Sequence, residues 1–224
     1  MDLVRWVEPE SPLNDPNIER TNPPARKVDP SMFDLAGMRK AGKRIAREII
    51  DLWDEGLDAP QTDPVLEHKV ETMWLPIRRA TLTDMENARR GIKEYLRDKN
   101  GADVDYNDVV KLQVHLGVLN RGIFQETNDV LEVEIHTIRL GTIAIATNPF
   151  ELFLDYGNQI KACSTAEQTF LIQLANGAEG YLPTQKAEVH GHYSAFISSG
   201  QIGHAGGEQL VRQTLQTIHK LFEK

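Results

Sequence analysis

The spacing of hydrophobic residues changes several times along the chain and predicts helices and strands in alternation. From residue 33, apolar side chains recur on one helical face until a stop before Pro60. Residues 67–75 alternate as a strand, and a capped helical pattern follows that ends at Asn100 and Gly101. A third helix is expected from about Tyr106. Its predicted apolar face consists of Val109, Leu112, Leu116 and Leu119.

The segment "VLEVEIHTIRLGTIAIAT" predicts the clearest pair of strands. Its first half alternates apolar with polar residues, as in a half-buried strand. After Gly141, the all-apolar "TIAIA" predicts a strand that is buried on both faces. A helix is expected over 151–163, then the apolar strand "TFLIQL" and, at the end of the chain, another amphipathic helix. This order predicts an α/β fold, bordering on α+β, with a mixed sheet, at least one βαβ unit and flanking helices.

The first 30 residues hold six of the eleven prolines and show no periodic apolar face. They predict an extended proline-rich arm over 1–32, followed by a single α/β domain over 33–224. The start of the chain has no apolar core of signal-peptide length, and no apolar run is long enough for a membrane span. The chain as given is therefore expected to be cytoplasmic, or part of something longer.

Composition and charge narrow the classes of partner. An apolar content of 40% and a charged content of 26% are ordinary for a globular protein with a packed core. The net charge of −8 argues against nucleic acid or an anionic membrane as the main partner, because both select basic surfaces. The single cysteine, Cys163, excludes an internal disulfide and a cysteine zinc cluster.

Two loops follow the strands of the expected βαβ unit, "TNPFE" and the glycine-rich "ANGAEGYLPTQKAEVHGHYSAF". Ligands of such units bind beyond the carboxyl ends of the strands, so Glu151 and the tyrosines of the second loop are expected to be neighbours. Glu151 has two interpretations: an acid in the first turn of a helix, or a rigidly held metal ligand or general base. Tyr181 and Tyr193 are either packed aromatics or phenols that face a substrate or metal.

His190 and His192 form a second candidate pair. In an extended segment they would point the same way, and His-x-His is a recurrent spacing of zinc ligands. A surface or hydrogen-bonding role is the alternative, because the pair has no third ligand at a known distance.

From "LGTIAIATNPFE" through "ANGAEGYLPT" to "GHAGGEQLVRQTLQTI", the chain resembles the carboxyl-terminal part of the catalytic domain of the neutral/alkaline non-lysosomal ceramidases. In that family a zinc-binding glutamate precedes a helix glycine by six residues, as Glu151 precedes Gly157. A zinc-binding tyrosine precedes a second active-site tyrosine by twelve residues, as Tyr181 precedes Tyr193. The resemblance extends over residues 138–222 and is architectural over 33–137.

The resemblance implies a zinc-dependent amidase that hydrolyses N-acyl sphingoid lipids. Glu151 and Tyr181 would be zinc ligands, and Tyr193 would act in catalysis. The family's zinc histidines and serine nucleophile lie in an amino-terminal portion that matches no stretch of this chain, so a missing half or a partner chain is expected to supply them. The family usually has glycine where this chain has Phe150.

Two alternatives remain open. The chain is a non-catalytic binding or assembly subunit, or an inactive remnant, in which case a large exposed apolar patch is expected on the sheet. Otherwise it is a metal-dependent hydrolase in its own right that uses Glu151, His190 and His192, with Tyr181 assisting.

Overall fold

A computed structural model of the chain describes residues 6–7, 27–28, 34–54, 61–191 and 193–223. The chain divides into two compact units, residues 1–62 and residues 63–224. The elements of the first unit are β1 (Trp6–Val7) and β2 (Lys27–Val28), which pair antiparallel, and the amphipathic helix α1 (Asp34–Asp54). The predicted division into an arm and one domain at residues 32 and 33 stays a prediction. In the described ranges, no helix is both long and apolar enough to cross a membrane.

The second unit contains the remaining strands and helices. Its strands are β3 (Leu66–Pro76), β4 (Val130–Leu140), β5 (Ile143–Thr147), β6 (Glu151–Leu152), β7 (Gln168–Ile172) and β8 (Tyr181–Leu182). Its helices are α2 (Leu82–Asp98), α3 (Tyr106–Phe124), α4 (Leu154–Cys163), α5 (Gln185–His190), a 3-10 turn (Ile197–Ser199) and α6 (His204–Phe222).

Four strands form the main sheet in the order β3-β4-β5-β7. The first two pairings are antiparallel, and β5 pairs with β7 in parallel. Helix α4 connects β5 to β7, so the predicted βαβ unit is confirmed. With helices beside a mixed sheet, the fold belongs to the α/β class, as the sequence predicts.

The core lies on one side of this sheet, here called the inner face. Helix α6 packs on β3 and β4, and α4 packs on β7 and on α6. The inner side chains Leu75, Ile135 and Ala144 are fully buried, as is Ile218 of α6. The opposite side of the sheet, the outer face, carries the side chains that alternate with these.

Helix α4 begins at Leu154, so the prediction that a helix starts at Glu151 is wrong. Glu151 instead lies in the short strand β6, which pairs in parallel with β8. The side chain of Gln173 accepts a hydrogen bond from the backbone N–H of Leu152 at 2.6 Å. These contacts hold the segment extended and delay the helix by one turn, so Glu151 is not an acid of the first helical turn.

Helices α2 and α3 pack against each other. Each begins with a capping box, at Thr81 and at Asp105, in which two backbone N–H groups are satisfied by side chains. The predicted apolar face of α3 is wrong in part. Leu112 is buried, but Val109 and Leu116 are exposed. The buried residues of α3 are Asp108, Leu112, Val118, Arg121 and Gly122.

Candidate functional site

Glu151 and Tyr181 are direct partners in the small β6–β8 sheet. The register pairs the two residues, and the backbone N–H of Glu151 donates to the carbonyl of Gly180 at 3.0 Å. The parallel pairing of β5 with β7 brings the loops after these strands to the same edge. The structure thus brings Glu151 and Tyr181 together, as expected from the order of elements.

Tyr193 completes a cluster of three side chains. Its ring meets the ring of Tyr181 edge to face, with centroids 5.9 Å apart and an interplanar angle of 65°. Tyr193 is 79% exposed, whereas Glu151 and Tyr181 are half-buried. In this cluster the side chains of Glu151 and Tyr181 are therefore partly enclosed by the protein, and that of Tyr193 faces solvent.

The electrostatics of the cluster keep Tyr181 protonated. Its phenol donates a hydrogen bond to the carboxylate of Glu151, and this bond is the largest cause that raises the pKa of Tyr181. A hydrogen bond with Tyr193 and desolvation raise the pKa further. Tyr181 is thus a neutral phenol at pH 7, and a cation that bound its oxygen as phenolate would have to displace the proton.

Two glycines, Gly180 and Gly200, pack against or adjoin the backbone of Tyr181. Gly180 and Gly200 form an isolated antiparallel bridge. Gly180 has a φ of +78°, in the region that favours glycine. A Cβ on Gly200 would lie only 1.9 Å from the carbonyl oxygen of Tyr181. Only glycine fits this close approach, so Gly200 fixes the position of β8.

Arg121 holds the segment that carries Gly200. Its buried guanidinium, at the buried face of α3, donates to the carbonyl oxygens of Gly200, Gln201 and Arg78 at 2.8, 3.1 and 2.8 Å. Burial lowers the pKa of Arg121, and the positive charge of Arg78 lowers it further. Since no carboxylate pairs with it, Arg121 is held by carbonyl dipoles alone among the described contacts.

A second network anchors the start of α6. Glu188 accepts hydrogen bonds from the backbone N–H of His204 at 2.7 Å and lies 2.9 Å from the Nδ1 atom of the same residue. Arg78 lies 3.8 Å from Glu188 and donates to the carbonyl of Ala195 at 2.6 Å. The loop from α5 to α6 is thus tied to the end of β3, which limits its freedom around Tyr193.

A cavity of about 300 Å³ opens beside the two tyrosines. Its walls combine the apolar Val114 and Phe196 with side chains that form hydrogen bonds. The lining residues are Gln113, Val114, Tyr181, Tyr193, Phe196, Ser198 and Ser199. Apolar walls with a few convergent polar groups are typical of small-molecule sites.

The described residues do not make a complete zinc site. Glu151 and Tyr181 offer one carboxylate and one phenol oxygen, whereas a catalytic zinc ion takes three protein ligands. Across the described ranges, no group of three or more His, Cys, Asp or Glu side chains is placed to hold a metal. The predicted binding of zinc is therefore unconfirmed.

The candidate histidine pair is placed only in part. His190 is the last residue of α5, and Gly191 follows as a left-handed cap with a φ of 65°. His190 is therefore helical, and the argument from an extended segment does not hold for it. His192 lies outside the described residues. The set of Glu151, His190 and His192 stays a prediction.

Sequence reasoning missed Arg121, Gly200 and the polar lining of the cavity. The high density of glycines after residue 177 pointed to the right region but not to the individual contact of Gly200. The only feature of the sequence that distinguishes Arg121 is that it is a charged residue in a helix that is expected to pack. The sequence alone does not identify Arg121 as buried, because arginine is expected on exposed faces.

Comparison with known proteins gives one distant likeness. No family model and no curated protein matches the chain. The chain is similar to the crystal structure of neutral ceramidase from Pseudomonas aeruginosa, with 17% sequence identity and a TM-score of 0.49. The likeness covers 83% of this chain and 32% of that one, so the chain spans about a third of the length of the ceramidase. At this level the likeness establishes neither a family nor an activity.

Proposed function

We propose that this chain supplies the carboxylate–tyrosine part of the active site of a zinc-dependent amide hydrolase that acts on N-acyl sphingoid lipids. The observation that carries the proposal is the cluster of Glu151, Tyr181 and Tyr193. These are the three side chains that the ceramidase-like intervals of the sequence select. They come from separate segments and meet at the strand ends, where ligands bind in α/β folds.

The chain's own residues have distinct roles in this proposal. Glu151 and Tyr181 hold each other in place and would offer one carboxylate oxygen and one phenol oxygen as ligands of a zinc ion. Tyr193 keeps its phenol exposed next to the cavity, where it can donate a hydrogen bond to an oxygen that gains negative charge. Zinc would polarise the amide carbonyl and activate the nucleophile. The remaining ligands and the nucleophile would come from outside this chain.

Hydrolysis of a fluorescent short-chain ceramide tests this function. The chain is purified alone and also after co-expression with the product of the coding region immediately upstream. We expect hydrolysis only in the second preparation, with a loss on the order of 100-fold for Glu151→Gln and for Tyr193→Phe. Tyr106→Phe, at an exposed tyrosine of α3, is the matched control and should keep full activity. Absence of hydrolysis in both preparations, or wild-type activity of Glu151→Gln, would refute the proposal.

A second candidate function is a non-catalytic assembly subunit. The observation that favours it is the outer face of the sheet, where large apolar side chains of β3, β4 and β7 are exposed. Several large apolar side chains exposed on one face are typical of a protein–protein contact. If this candidate is right, the chain associates with another protein, and substitution of Glu151 leaves that association unchanged.

A further inference from the structure

We infer that a cavity between α3 and the segment that leads into α6 is a binding site for inorganic phosphate, held by Arg121 and Gln201. The cavity has a volume of about 260 Å³. A water molecule takes a share of about 30 Å³ in the liquid, so the cavity has room for a larger polar molecule. The lining residues, all within the unit of residues 63–224, are Gly117, Asn120, Arg121, Phe124, Ser198 and Gln201.

Arg121 gives this cavity a positive charge that has no counter-ion among the described residues. The residue is only 7% exposed, and no described Asp or Glu forms an ion pair with it. Arg78 adds a second positive charge nearby, and its own described counter-ion is Glu188 at 3.8 Å. Burial of a cation is costly unless an anion accompanies it. A small anion in the cavity would supply the missing charge.

Arg121 also has unused hydrogen-bond donors. A guanidinium carries five N–H groups, and the three described bonds of Arg121 leave Nε and one hydrogen of Nη2 without an acceptor. Both donors belong to one planar fork, and such a fork fits two oxygens of a phosphate group. The side chains of Asn120 and Ser198 line the same cavity and have no hydrogen bond among the described contacts. The cavity is therefore rich in donors for an oxyanion.

Gln201 selects an oxyanion that keeps a proton. Its Nε2 donates to the carboxylate of Glu179 at 3.5 Å, which fixes the orientation of the amide because a carboxylate only accepts. The other amide atom, Oε1, is buried and has no hydrogen-bond partner within the described part of the chain. A buried acceptor of this kind requires a donor. Inorganic phosphate keeps an O–H group near neutral pH, whereas sulfate and carboxylates do not.

The packing of the 3-10 turn on α3 brings these groups together. A Cβ added to Gly117 would overlap with the side chain of Ser198, so glycine is required for this close approach. The bonds from Arg121 to the carbonyl oxygens of Gly200 and Gln201 hold the next residues in place. Ser198 also lines the cavity beside the two tyrosines, so the phosphate site adjoins that cavity. The site is thus formed before any ligand binds, as is usual for small-molecule sites.

Isothermal titration calorimetry of the full chain with phosphate, at about pH 7.5 and with a metal chelator, tests this inference. The chelator ensures that phosphate bound to a metal ion is not measured. We expect a dissociation constant below about 1 mM. Sulfate has the same shape but no O–H group and should bind more weakly by a factor on the order of 10. Glycerol phosphate has a second pKa of about 6 and has lost its O–H group at this pH, so it should also bind more weakly by a similar factor.

Two variants locate the bound anion. Gln201→Met removes the unpaired acceptor and should lower the affinity for phosphate on the order of 10-fold while that for sulfate stays the same. Ser198→Ala keeps the Cβ that packs on Gly117 and removes only the hydroxyl, so it should weaken phosphate and sulfate equally. Gln113→Met, in the lining of the tyrosine cavity, is the matched control and should bind phosphate as the wild type does. Glu151→Gln should also bind phosphate normally, so this inference and the proposed function fail separately.

A wild-type chain that does not bind phosphate below about 1 mM would overturn the inference. Equal affinity for phosphate, sulfate and glycerol phosphate, or a preference for phosphate that Gln201→Met leaves intact, would also overturn it. So would a loss of binding in Gln113→Met, because it would place the anion in the tyrosine cavity. Circular dichroism establishes that each variant is folded. If Gln201→Met does not fold, the preference of the wild type for phosphate and the weaker binding by Ser198→Ala decide.

Discussion

Substitution of Gly200 by alanine tests the packing that positions Tyr181. The new Cβ would lie 1.9 Å from the carbonyl oxygen of Tyr181, 2.9 Å from its carbonyl carbon and 3.0 Å from its nitrogen. All three atoms belong to the backbone and cannot rotate away. Gly200 has a φ of −161°, which alanine adopts freely, so the whole effect is steric. Overpacking of this kind costs about 3 kcal/mol, the upper end of the usual range.

We expect Gly200→Ala to lower the free energy of unfolding by about 3 kcal/mol and the melting temperature by about 6 to 12 °C. Urea unfolding followed by circular dichroism measures the first quantity, and a thermal melt measures the second. The variant should also displace β8 and lengthen the hydrogen bond between Tyr181 and Glu151. The pKa of Tyr181 should therefore fall towards that of an ordinary tyrosine, which a spectrophotometric pH titration detects.

Gly191→Ala is the control for this measurement. Gly191 has a φ of +65° and nothing within 4 Å of its added Cβ, so its substitution tests backbone strain without overlap. It should cost about 1 kcal/mol. If Gly200→Ala destabilises the chain no more than Gly191→Ala does, the proposed support of Tyr181 by Gly200 is wrong.

Three further predictions concern charged groups. Hydrogen bonds from Lys99 and Tyr95 lower the pKa of Asp108, so the ionised Asp108 stabilises the fold above about pH 4 and this stabilisation is lost as the pH falls. In Asp108→Asn, the free energy of unfolding measured by urea titration should therefore depend less on pH in the acid range. Arg121→Met removes the guanidinium donor from three carbonyl oxygens, of which only that of Gln201 keeps a second donor, the backbone N–H of Arg78, among the described contacts. It should destabilise the chain by about 3 to 5 kcal/mol, with partial rescue by lysine. Glu151→Gln should lower the pKa of Tyr181, measured as the titration difference from Tyr181→Phe.

The four strands of the main sheet, helix α6 and the βαβ unit follow from the hydrophobic pattern because each of these elements buries one face. The short strands β6 and β8 and the helix α5 are not predicted by this pattern. The neighbourhood of Glu151 and Tyr181 follows from the same reasoning, since parallel strands place their carboxyl ends at one edge. These features depend on the period of apolar residues, which is a local property of the sequence.

Features that depend on long-range contacts could not be predicted from the sequence. The start of α4 shifts to Leu154 because Gln173 and Gly180 hold the preceding strand, and both are distant in sequence. The buried face of α3 includes Asp108 and Arg121 because Lys99 and three carbonyl groups satisfy their charges. The periodicity of the sequence depends on hydrophobicity alone and contains no information on these hydrogen-bond and ion-pair partners.

Zinc binding by the isolated chain, followed through the ultraviolet absorbance of tyrosinate, tests the central claim most directly. If Glu151 and Tyr181 are two ligands of an incomplete site, zinc should bind weakly, with a dissociation constant of about a millimolar or above, and should release the proton of Tyr181. The signal should disappear in Tyr181→Phe and persist when His190 and His192 are both replaced by alanine. Tight stoichiometric binding that requires the two histidines, with no tyrosinate signal, would contradict the account.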